Sequence, residues 1–177
     1  MKKGITQVLV ILLVIAIAFA AVGCSSTDRQ AKQYMKTGDL HLPVVKAKAA
    51  AWNAQVKAIG ADPMTIAGQV QQAKASGEEL VKATQAAKTE YEKIISLNSV
   101  SAYREYAELR IGELDSIQQI VNKMYVFLDQ RVAMVNSKDL SNYPALQQQV
   151  QTEIAPLSDK GQKLEQDAEK LKSEKKL

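Results

Sequence analysis

Between residues 66 and 94, one set of positions steps strictly by four and three: Ile66, Val70, Ala73, Gly77, Leu80, Thr84, Ala87, Tyr91 and Ile94. A helix brings such positions onto one face, whereas a strand would alternate every second residue. A stripe this long needs other helices to cover it. The same step recurs elsewhere in the chain. Val45, Ala49, Trp52, Val56 and Ile59 form one stripe; Leu114, Ile117, Val121, Met124 and Leu128, broadened by Ile120 and Phe127, form another. Leu146, Val150, Ile154, Leu157, Gly161, Leu164, Ala168 and Leu171 form a fourth. Trp52, Tyr91, Met124 and Phe127 read as core residues.

Turn signals separate the stripes. In Gly60-Ala61-Asp62-Pro63, Gly60 suits a left-handed helix end, Asp62 an N-cap and Pro63 a first helical position. Asn98-Ser99 closes the second stretch, with Ser99 or Ser101 as the next cap, and a polar loop at 137–143 leads to Pro144. Short turns make neighbouring helices antiparallel. The expected fold is therefore all-α, an up-down-up-down antiparallel four-helix bundle of the coiled-coil kind, about 50 Å long. Thr37-Gly38-Asp39 pairs a helix-stopping with a helix-starting residue, so the first helix should break near Gly38. Pro156 lacks the amide that would bond the carbonyl of Thr152, so the fourth should kink there.

The N-terminus carries Lys2 and Lys3, an apolar run over residues 8–22, and then Gly23-Cys24, the one cysteine of the chain. This run is shorter than the roughly 20 residues a spanning helix needs. Ala21-Val22-Gly23-Cys24 resembles the lipobox of prokaryotic lipoproteins, with Ala21 where Leu is usual. The resemblance covers residues 1–24 and implies diacylglyceryl transfer to Cys24 and cleavage before it. Residues 1–23 would be a signal peptide, 24–26 a lipidated anchor and short linker, and 27–177 a single helical-bundle domain. The protein would be extracytoplasmic and held to the cell membrane by its N-terminal lipid, with Ser25 implying outer-membrane sorting if the organism has two membranes. The competing reading is an uncleaved helical anchor. Cleavage removes 23 of 177 residues, two Lys and no acid, so the net charge falls from +4 to +2. Such a domain, facing outward, is a poor partner for nucleic acid.

Alternating topology then orients the bundle. The turn at 98–99 and the C-terminus return to the membrane end, while loops 60–63 and 137–143 lie far from it. Arg29, Lys32, Lys36, Lys170, Lys172, Lys175 and Lys176 become candidate membrane-proximal basic residues, and solvated helix faces account for the same charges. Tyr34, Tyr91, Tyr103 and Tyr106 should gather toward the same end as interfacial anchors, or serve as core. Candidate distal contact residues are Asp62, Pro63, Arg131, Lys138, Asp139 and Tyr143. Arg131 stands where the third stripe requires an apolar residue, so it should snorkel at the bundle end or hold a partner's carboxylate.

Little catalytic equipment is visible. His41 is the one imidazole, and no Glu-x-x-His pair, zinc-protease spacing or Gly-rich phosphate loop occurs. Glu78-Glu79, Glu105/Glu108 and Glu113/Asp115 are acid pairs, but Glu78–Lys82, Lys88–Glu92 and Arg104–Glu108 fit solvated helix faces. The sequence therefore points away from an enzyme and implies no cofactor and no metal. It favours a membrane-anchored binding or scaffolding module whose partner is an envelope protein or the cell wall. The alternative is a binder of a small ligand or cell-wall polymer, using a gap between helices near Gly38 and Pro156.

Overall fold

The computed structural model describes the chain from residue 2, with side chains from Ser26 onward, so the leader and Cys24 lie outside the fully described residues. Four helices follow one another: α1 (Lys2–Ala58), α2 (Ile66–Ile95), α3 (Ser101–Ser137) and α4 (Tyr143–Lys175). The fold is an all-α four-helix bundle, with no strand among the described residues. No helix of the described residues is long and apolar enough to cross a membrane.

Periodicity becomes packing most completely in α2, where all nine stripe residues are buried. Val45 and Trp52 of α1, Ile59 just beyond its end, and Leu114, Val121 and Leu128 of α3 complete the interior. In α4 only Leu146, Ala168 and Leu171 of the eight-residue stripe are buried. The reason lies in the order of packing. Helix α1 lies along α2, α2 along α3 and α3 along α4, and α1 only touches α3. Among the described residues, no Cα of α1 comes within 8 Å of one in α4. Helix α4 therefore has one helix close by at backbone distance, and five of its eight stripe residues stay partly open.

The expected break near Gly38 does not occur, because α1 runs unbroken through Gly38, Asp39 and Pro43. Gly38 serves close approach rather than a left-handed turn. A Cβ there would lie 2.7 Å from two carbons of the Tyr91 ring. Helix α4 continues past Pro156, which faces solvent, so the proline does not end it. Tertiary packing thus outweighs a local preference that alone costs about 3 kcal/mol for a helix-interior proline.

The turns fall where expected but are built differently. Among the described residues no glycine has a positive φ, so Gly60 is not a left-handed cap. Asp62 does not cap α2, which starts at Ile66. Its carboxylate instead accepts the Met64 amide at 2.9 Å, shaping the preceding turn. Neither Ser99 nor Ser101 caps α3: the cap position is Val100, and Ser99 itself sits at φ 61°. Arg104 Nη2 reaches back to the Leu97 carbonyl at 2.6 Å. Helix α3 closes on Lys138 at φ 58°, with Lys138 N–H donating to Val135 and Asp139 N–H to Met134, both at 3.2 Å. That pair of bonds is the usual two-bond C-terminal closure, here made without glycine.

Candidate functional site

One carboxylate gathers all four helices. Asp39, in α1, accepts through Oδ1 from the hydroxyls of Tyr91 in α2 (2.8 Å) and Tyr106 in α3 (2.7 Å). Its Oδ2 accepts from Nζ of Lys172 in α4 at 2.5 Å. Both tyrosines are fully buried, and their rings meet edge-on with centroids 6.1 Å apart. Unbroken helix through Gly38 is what delivers Asp39 to this point, since the neighbouring Tyr91 ring occupies the space a larger residue would need.

A second charged group joins the first through Tyr106. Arg110, 2% exposed, donates from Nε to the Tyr106 hydroxyl (3.0 Å), from Nη1 to Glu113 (2.7 Å) and from Nη2 to Glu169 of α4. Its guanidinium also lies 5.2 Å from the Tyr106 ring centre. Lys46 of α1 pairs with Glu165 of α4 at 2.6 Å. Burial holds the Glu113 carboxyl above the ordinary range, with Arg110 opposing it. Burial likewise raises both phenols, and the Asp39 charge acts in the same direction. Three cations and four carboxylates thus interlock within the bundle. Only Arg110–Glu113 is buried at both ends; such a pair adds little net stability against an apolar core, but removing one member is costly, so it specifies which surfaces may meet. The chemistry is that of an interhelical lock.

The opposite end has its own clasp. Arg131 neither snorkels to water nor waits for an outside carboxylate. Its Nη2 donates to the carbonyls of Ile59 (2.8 Å) and Gly60 (2.9 Å), closing the C-terminal end of α1. The guanidinium lies 5.6 Å from the Tyr143 ring centre, and Gly60 N–H donates to Gln69 Oε1 at 2.8 Å. A cation on the free carbonyls of a helix end satisfies them and complements the helix dipole. Of the distal candidates, Arg131 and Tyr143 are therefore engaged within the chain, and Asp62 shapes its own turn. Asp139 accepts from both the amide and the hydroxyl of Ser141, which holds its carboxyl below the ordinary range. Pro63 and Lys138 are exposed.

The basic candidates at the anchor end also divide. Lys172 is committed to Asp39, and Lys170 lies 3.9 Å from Glu174. Arg29, Lys32, Lys36, Lys175 and Lys176 are exposed. Tyr91 and Tyr106 are buried and so are no interfacial anchors, while Tyr34 lies beneath Lys93 at 5.4 Å. Lys88 reaches across to Asp115 at 2.5 Å, and Lys82 pairs with Glu79 at 3.0 Å. His41 is half-buried. Among the described residues no three potential ligands converge as a metal site.

The gap expected at Gly38 is filled by Tyr91. Beside Pro156 a shallow groove between α3 and α4 does exist, lined by Ser116, Ile120, Leu157, Gly161, Glu113 and Glu165. The Asp39–Arg110 cluster itself was not foreseen. One signal was present: Arg110 stands four residues before Leu114 on the same stripe, an interior charge of the kind noticed at Arg131. Comparison with protein-family models, curated sequences and solved structures finds no match.

Proposed function

We propose that the protein is a lipid-anchored, non-enzymatic helical module of the cell envelope that binds or scaffolds a protein partner. The anchor half of this reading rests on the lipobox-like Ala21-Val22-Gly23-Cys24 behind a charged and apolar leader. The observation that carries the binding half is a second apolar face on α1. Leu40, Val44, Ala47, Ala51 and Ala54 step by four and three on the side opposite Val45 and Trp52, and all are exposed. Leu40 is 68% and Val44 48% exposed. A helix that is apolar on two opposite sides is suited to being covered on both.

Charge indicates the kind of partner. No Asp or Glu occurs between residues 40 and 61, while His41, Lys48 and Lys57 flank the exposed face. A second copy would set these basic residues against their like. An amphipathic helix with carboxylates along its edges complements them, and the alanines let it approach closely. Labelled palmitate should enter the wild-type protein and not Cys24→Ala. A photoreactive residue at Ala51 should form one discrete protein adduct in intact cells, lost in Leu40→Glu/Val44→Glu. Label in Cys24→Ala would overturn the anchor, and an adduct indifferent to the double substitution would overturn the binding face.

A further inference from the structure

We infer that α4 is a releasable strap, held on α3 by a sparsely buried apolar stripe and to α1 by ion pairs alone, and able to open as a unit. Three residues of α4 are buried, against nine in the shorter α2. Its backbone touches neither α1 nor α2. Its apolar stripe packs on α3 alone, and what links it to α1 is ionic: Asp39–Lys172 and Lys46–Glu165, with Arg110–Glu169 and Lys123–Glu153 added on the α3 side. Except at Arg110, both members of each pair keep some exposure to water, so solvent can replace either partner.

Satisfaction of the buried polar groups points the same way. With α4 lifted away, Arg110 still holds Glu113 and the Tyr106 hydroxyl. Asp39 still accepts from Tyr91 and Tyr106. Ser116 bonds the Gly112 carbonyl within α3, and Thr84 accepts from Gln118 between α2 and α3. No buried charge of the three-helix core is stranded, and stranding is what ordinarily makes breaking an interior pair prohibitive. The cost of opening is the apolar surface of Leu146, Ala168 and Leu171 with their half-buried neighbours. Opening uncovers Ile117, Ile120 and Phe127 on α3. The inference does not depend on where the protein resides.

Hydrogen exchange on the full-length chain tests this, because local opening and global unfolding give different protection patterns. Amides in the middle of α4 should exchange on the order of tenfold faster than those in the middle of α2 and α3. High salt should widen the difference by screening the exposed pairs. Ser116 and Gly161 offer a staple: a Cβ on Gly161 would lie 3.4 Å from the Ser116 Cβ, close to disulfide spacing. In a Cys24→Ser background, oxidised Ser116→Cys/Gly161→Cys should bring α4 to the protection of α3, and reduction should reverse it. Glu169→Gln leaves Arg110 its other partners, and should speed exchange in α4 and not in α2. Equal protection of all three helices, or fast α4 exchange that survives the staple, would overturn the strap.

Discussion

Asp39 and Lys172, 133 residues apart in sequence, meet at 2.5 Å across a seam where the backbones of α1 and α4 stay apart. The other oxygen of the same carboxylate holds two buried phenols. Asp39→Ala leaves both hydroxyls without this acceptor, and the loss should reach about 2–4 kcal/mol. Asp39→Asn keeps an acceptor oxygen and should lose less than half as much. Urea unfolding of the two variants measures the difference; an alanine variant as stable as wild type would remove Asp39 from the centre of the lock.

High pH should unfold the protein through the same cluster. Burial raises the Tyr91 and Tyr106 phenols above their ordinary value of 10.0; Asp39 reinforces this, and Arg110 opposes it at Tyr106. An acid whose pKa is raised by folding keeps its proton in the native state while the unfolded chain gives it up. Their contribution is therefore complete below pH 10 and falls as pH climbs beyond it, by about 1.4 kcal/mol per pH unit for each phenol. Phenolate absorbance followed with circular dichroism should show two of the six tyrosines ionising only as helix is lost. Ionisation of all six before unfolding would contradict the buried assignment.

Three glycines within helices should respond differently to alanine. A Cβ at Gly77 would collide with the Tyr125 hydroxyl and lie 3.0 Å from Trp52 Nε1, and one at Gly38 would press on the Tyr91 ring. Each substitution should destabilise by about 1–3 kcal/mol through overpacking. Gly68 has nothing within 4 Å of the same position, so Gly68→Ala should stabilise by up to about 1 kcal/mol through helix propensity alone. Thermal midpoints of the three variants give the comparison.

Lys138 ends α3 in the left-handed region that glycine adopts without cost. Lys138→Gly should raise stability by about 1 kcal/mol, since the two closing bonds come from the backbone and survive the change. Gln119→Gly, at an exposed site inside α3, should lower stability by a similar amount. Denaturant midpoints of the pair check both signs.

Much of the architecture was legible from the chain. The stripe from Ile66 to Ile94 matches the buried face of α2 residue for residue, and the three turn regions lie between the helices as expected. The anomaly at Arg131 also marked a real feature, although its carbonyl partners at Ile59 and Gly60 lie some 70 residues away and cannot be read locally. Gly38-Asp39 misled for the same reason. In isolation that pair ends a helix, and nothing nearby in sequence reveals the Tyr91 ring beneath it.

Periodicity alone determined which face of each helix points inward, because 3.6 residues per turn ties spacing to direction. Tertiary structure decided how deeply each face is buried and which polar groups meet there. Helices α2 and α4 carry comparable stripes, yet the number of helices packed against each differs. Asp39, Tyr91, Tyr106, Arg110 and Lys172 become one lock only when four helices converge. Their attraction is set by distance and by exclusion of water, and neither exists until the chain has folded.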